Sequence, residues 1–229
     1  MANKNLQRKG FTLVELSMAI TFMSVLMLGI LYVTIQAGKI YAKGLTYKSV
    51  NQVSREVVDS VRRDFLAASA SGVVTPAPLG ATDAKTGRMC TGAVSYVWNT
   101  AALLGTTDPQ IKDNTTPVVF RRVVDPGGAL CVQTSPGTYS MAIGGMESKE
   151  LLSTNGSELA VYSLDVSKLK SDERRGLYKI HVVMGTNQQG TTQKESIGYT
   201  CKPPADNTAN FEYCTVVEFD IIVRAGGNT

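Results

Sequence analysis

The sequence predicts an α+β fold, a long N-terminal α-helix packed on an antiparallel β-sheet globular domain. Three observations predict it. From Phe11 to Gly38, 28 residues contain a single charged side chain, Glu15. From Val50 to Phe65, apolar residues recur at spacings of three and four. Downstream, short runs alternate apolar and polar residues between turn formers. The expected organisation is a short basic leader (1–10), an apolar helix half (11–38), an amphipathic helix half (39–70) and a β-rich domain (71–229).

The apolar half is long enough to cross a membrane. A helix rises about 1.5 Å per residue, so about 20 residues span the hydrocarbon. It is too long for the core of a secretory signal, roughly 7–15 residues, and no A-x-A cleavage site follows it cleanly. Lys4, Arg8 and Lys9 stand before it and Lys39, Lys43 and Lys48 after it, so flanking charge alone does not set its orientation. Glu15 is the anomaly. A charge at the centre of a membrane helix costs about 2.5–3.5 kcal/mol, and less near an end where it reaches the interface. In the first turn an acid is also favoured by the helix dipole, provided the helix begins near Phe11.

The amphipathic half follows. Val50, Val53, Val57, Val61 and Phe65 line one face, and Lys48, Arg55, Glu56, Asp59, Arg62 and Arg63 cover much of the rest. The spacing predicts one helix from about Phe11 to Ala68. Gly38 and Gly44 are its weak points, each costing roughly 1 kcal/mol in a helix interior. Gly72, Pro76, Pro78 and Gly80 then end it within the loop Ser69–Gly87. Strands are expected at Ala93–Asn99, Pro117–Val124, Ala129–Thr134 and Ser157–Val166, the last after an Asn155-Gly156 turn. Gly176–Gly185 and Thr215–Arg224 alternate most clearly. The first puts Tyr178, Ile180, Val182 and Met184 on one face; the second puts Val217, Phe219, Ile221 and Val223 there. One buried and one wet face suit an antiparallel sheet against the helix.

Charge and cysteines bound the function. Of 23 basic and 19 acidic residues, three basic and no acidic ones lie in the first ten, leaving 20 against 19 in the rest. The basic balance belongs to the leader, which argues against nucleic acid as a partner. Four cysteines, Cys90, Cys131, Cys201 and Cys214, all follow the apolar segment, with no C-x-x-C pair and one histidine, His181. Two disulfides in an oxidising compartment fit this better than zinc or four reduced, buried thiols. Three connectivities are open. Cys90–Cys131 with Cys201–Cys214 is preferred because it closes two separate loops in sequence order.

Basic residues followed by Gly10, Phe11, Thr12, Leu13, Val14 and Glu15, then an apolar helix, resemble the class III signal of type IV pilins and pseudopilins. The resemblance is strongest over residues 8–33, the family's long helix extends it to about residue 70, and the rest of the chain matches by architecture alone. It implies cleavage by a prepilin peptidase between Gly10 and Phe11, N-methylation of Phe11, and pairing of Glu15 with the Phe11 amine of a neighbouring subunit. Such a pair would neutralise a buried carboxylate and set assembly register. Leu13, Val14 and Leu16 would supply helix packing in the filament. Implied partners are other pilin subunits, the peptidase, the pilus assembly platform and, before assembly, the cytoplasmic membrane, which the chain would cross once with its β domain outside. Many major pilins carry a mid-membrane proline. Here that region reads VLMLGILYVTI, with Gly29 and no proline, so a minor pilin or a pseudopilin fits at least as well as a major pilin. The Cys201–Cys214 loop resembles the disulfide-bounded C-terminal loop of many pilins.

No catalytic set is visible. Walker A, G-x-S-x-G, H-E-x-x-H and G-x-G-x-x-G sequences are absent. His181 lacks an obvious Cys or Asp partner in sequence. Asp108 and Asp113 lack EF-type ligand spacing. Arg121-Arg122 and Arg174-Arg175 are short, without an aromatic run for nucleic acid. The expectation is a structural subunit of a type IV pilus-like filament, with no cofactor, no metal and no catalysis. The alternatives are a pseudopilin of a type II secretion or competence system, or a plain bitopic membrane protein with an outward β domain, such as an adhesin.

Overall fold

The computed structural model describes residues 10, 12–69, 72–73, 86–104, 106–108, 110–135, 138–152, 159–172, 175–187, 191–195, 198–203, 206, 210 and 212–226. The fold is α+β, with one long apolar N-terminal helix and antiparallel sheets. The chain forms two compact units, Met1–Ala42 and Lys43–Thr229. The division falls inside helix α1 (Leu13–Ala67), a few residues after the expected end of the apolar half. The leader residues 1–9 and Phe11 lie outside the described residues, as do Pro76, Pro78, Gly80, Asn155, Gly156 and Arg174.

In the first unit every residue from Leu13 to Tyr41 is exposed. Gly29 and Gly38 leave α1 unbroken, and a Cβ at either would meet nothing within 4 Å. In the second unit the predicted stripe is buried: Val50, Val53, Val57, Val61 and Phe65 are 0–4% exposed. The helix ends as expected, one residue before Ala68.

The strands are β1 (Thr86–Cys90), β2 (Val94–Asn99), β3 (Lys112–Asp113), β4 (Thr116–Pro117), β5 (Phe120–Val124), β6 (Gln133–Ser135), β7 (Thr138–Tyr139), β8 (Ser148–Glu150), β9 (Leu159–Asp172), β10 (Arg175–Thr186), β11 (Thr192–Lys194), β12 (Tyr199–Cys201) and β13 (Val216–Ala225). A short helix α2 (Ala101–Leu104) follows β2. Two sheets form the body, in the orders β1-β2-β5-β8 and β13-β10-β9. All their named pairings are antiparallel. A parallel bridge from Thr100 to Val161 joins the end of β2 to β9.

The main core lies where both sheets meet the helix stripe. Met89, Tyr96, Trp98 and Phe120 come from one sheet, and Tyr178, Ile180, Val182, Met184, Ile221 and Val223 from the other. Phe65 meets Tyr178 edge-on at 5.6 Å, and Trp98 meets Phe120 edge-on at 5.9 Å. A second cluster of Cys90, Val97, Ile111, Val118, Val123, Leu130, Cys131 and Ile143 lies apart from it. Strand β2 feeds both clusters, so all six of its residues are buried. Gly87 sits opposite Trp98, whose indole fills the space a Cβ would take.

Two expectations need correction. Ala129–Thr134 is not one strand: Ala129–Cys131 form a 3-10 turn, and strand β6 begins only at Gln133. Gly127 and Gly128 take positive φ, which bends the chain into the turn. The buried Asp125 carboxylate then accepts the N–H groups of Ala129 and Leu130 at 3.0 Å. Pro117–Val124 is also divided, because Pro117 pairs in the small β3–β4 hairpin and β5 starts at Phe120. Asn114 turns that hairpin with φ 54°.

Candidate functional site

The first turn of α1 carries the most specific local chemistry in the apolar unit. Thr12 and Glu15 cap the helix reciprocally. The Glu15 N–H donates to Thr12 Oγ1 at 3.2 Å, and Glu15 Oε2 accepts the Thr12 N–H and hydroxyl, each at 3.0 Å. This is a capping box, in which side chains satisfy donors that a helix start leaves open. The T-x-x-E spacing was readable in the sequence, and Thr12 is the partner that the reading missed. Both bonds to the carboxylate fall on Oε2; among the described residues, Oε1 receives none.

Beyond Glu15 the helix is suited to a medium without water. The hydroxyls of Ser17, Thr21, Ser24 and Thr34 donate back to the carbonyls of Val14, Ser17, Ile20 and Ile30, at 2.8–2.9 Å. No hydroxyl of these four depends on solvent, as a bilayer requires. An 18-residue window of α1 reaches a mean hydropathy of 2.2 with none of it buried. The helix is therefore long and apolar enough to span a membrane. Leu13, Val14 and Leu16 are 84%, 64% and 56% exposed. Gly10 is exposed as well. The expected partner of Glu15, the Phe11 amine, lies outside the described residues.

In the β unit the four cysteines form two disulfides, Cys90–Cys131 and Cys201–Cys214. The first ties β1 to the 3-10 turn. The second ties β12 to the residue pair that precedes β13.

The charged candidates are held in structural contacts. Arg122 grips Asp64 of α1 with two nitrogens, at 2.7 and 2.9 Å, and Tyr96 donates to the same carboxylate at 2.5 Å. Burial, and then the hydrogen bond to Asp64, push the Tyr96 hydroxyl well above its ordinary pKa. The hydrogen bond to Asp64 also raises Arg122. Arg121 pairs with Asp113 and lies 3.6 Å from Glu150, whose carboxylate accepts the N–H groups of Val119 and Phe120. Neither arginine is presented as a loose basic patch. Arg88 is buried and donates to the carbonyls of Leu130 and Ser140.

His181 does have acidic partners, contrary to the reading from sequence. Its Nδ1 lies 2.9 Å from Asp220 and its Nε2 3.6 Å from Glu218, both on β13. The pairing register of β10 and β13 brings them together across 39 residues. The Lys179 ammonium, and then His181, hold the Asp220 carboxyl below its usual range. Among the described residues, no group of three or more His, Cys, Asp or Glu could hold a metal ion.

Compared with known proteins, the chain matches no family model, no curated protein and no solved structure.

Proposed function

We propose that this chain is a structural subunit of a type IV pilus-like filament, of the minor-pilin kind. It waits in the cytoplasmic membrane with its β domain outside, loses residues 1–10 to a prepilin peptidase, and enters the filament through α1. Its work is assembly, with no catalytic step. The observation that supports this best is the exposed apolar stretch Leu13–Tyr41, headed by the single carboxylate of Glu15 and continued by a helix half that packs on a disulfide-bonded β unit. Such a surface needs a membrane or neighbouring helices to cover it.

In this reading Glu15 has two successive duties. In the lone chain its Oε2 caps the helix. In the filament its charge meets the Phe11 amine of a neighbour, and the need for that partner fixes register. The two duties separate by substitution. A glutamine can still close a capping box, but it carries no charge. Glu15→Ala and Glu15→Gln should both leave the protein in the membrane fraction and remove it from sheared filaments. Incorporation of Glu15→Gln at the native level would show that capping alone suffices and would sink the register role.

A further inference from the structure

Among the described residues, strand β13 leaves one edge of its sheet open. Thr186 N–H donates to the Thr215 carbonyl at 3.0 Å, and the β10–β13 register then runs without a shift from Gly185↔Val216 to Gly176↔Ala225. In an antiparallel pair, residues alternate between those that bond the neighbour and those that bond away from it. Val217, Phe219, Ile221, Val223 and Ala225 therefore bond β10. Glu218, Asp220, Ile222 and Arg224 turn their backbone N–H and C=O groups to the far side. The Gly226 N–H, next in that alternation, donates outward to the Ala68 carbonyl at 2.8 Å, as the alternation requires. Among the described residues, no backbone group bonds the stretch from Glu218 to Arg224 on that side. It has no bulge and no proline, two devices that commonly close an edge.

We propose that this edge pairs with the same edge of a second copy, antiparallel, about a two-fold axis at Ile221. The side chains select both the partner and the register. With the axis at Ile221, Glu218 stands opposite Arg224 of the second copy, and the reverse contact repeats it. Asp220 stands opposite Ile222, and the two Ile221 backbones face each other across the axis, their side chains buried in each copy's own core. Arg224 has no ion-pair partner among the described residues; Asp220 is already held by Lys179 and His181, while Glu218 has the more distant His181 Nε2 at 3.6 Å. Moving the axis one residue back would set Asp220 against Asp220, and like charges directly opposite are destabilising. Past Arg224 the Ala68 carbonyl closes the run at Gly226. An isologous two-fold contact of this kind closes on itself, joining two three-stranded sheets into one. It is a contact between β units, separate from assembly through α1.

The test uses Ile222→Cys in the full-length chain in its native membrane. All four native cysteines are in disulfides, so the new thiol is the free one. The introduced thiols of the two copies would be diagonal neighbours, about 7–8 Å apart, within reach of a short bifunctional thiol reagent. The expected product has twice the subunit mass. Leu169→Cys, 52% exposed against 60% for Ile222 but on β9, should give none. Adding Arg224→Glu to Ile222→Cys should cut the yield at least about fivefold, and a further Glu218→Arg should restore it. The same yields are expected in cells lacking the prepilin peptidase, so failure of the filament reading would leave this readout intact. Equal cross-linking at Leu169, indifference to Arg224→Glu, no restoration by the swap, or an adduct of another mass would each overturn the self-pairing.

Discussion

Tyr96 and Asp64 show how single groups set the limits of this domain. An ordinary tyrosine ionises near pH 10, and the folded Tyr96 ionises above that. Between the two values the folded chain keeps a proton that the unfolded chain has released, so stability falls as pH rises. The contribution is complete below about pH 10 and is lost as pH climbs through the raised folded value. Tyr96→Phe should cost about 1 kcal/mol at neutral pH through the lost hydrogen bond, and its deficit should shrink in alkaline melts. A deficit constant to high pH would contradict the account. Gly87 makes a second case. Gly87→Ala should destabilise by about 1–3 kcal/mol, because a methyl group would enter the Trp98 ring. Thermal melts of the two variants beside the wild type read both effects.

The elements divide into those whose sequence pattern equals their burial and those shaped by distant partners. The valine stripe of α1 and the alternation in β10 and β13 were legible, because one face of each is buried and one is not. Strand β1 was invisible, since Gly87 is a poor strand former in isolation and Arg88 puts a charge at a position that is buried. They fit only because Trp98 covers the glycine and carbonyls from a later loop hold the guanidinium. The turn at Ala129–Cys131 misread as strand for the same reason: Asp125 and Cys90 dictate it from outside the segment. The two disulfides differ in reach, with sequence separations of 41 and 13. On the chain-entropy model they are worth about 4 and about 3 kcal/mol. Replacing Cys90 and Cys131 by serine should therefore lower the denaturant midpoint more than replacing Cys201 and Cys214. The reverse order would show that strain or residual structure outweighs loop closure. Asp64→Ala should lower stability by about 2 kcal/mol, because it strips both Arg122 and Tyr96 of their shared acceptor.

Among the described residues, two surfaces stand out: the exposed apolar length Leu13–Tyr41, and the unpaired edge of β13. The first was fully legible, since nothing but composition decides it. The second was not, because an edge is a property of strand order, and strand order does not show in a local pattern. Glu15 lies between these cases. Its isolation in an apolar run was plain, while its bond to Thr12 becomes evident once the helix start is known. The proposed assembly role depends on one covalent event, removal of residues 1–10, and the mature N-terminus reports it directly. Mass spectrometry of the protein from native membranes and from sheared filaments is the decisive measurement. The account predicts a chain that begins at Phe11 in both fractions. A chain that begins at Met1 or Ala2, confined to membranes of cells with an active prepilin peptidase, would contradict it and leave a single-pass membrane protein whose Glu15 does no more than cap its helix.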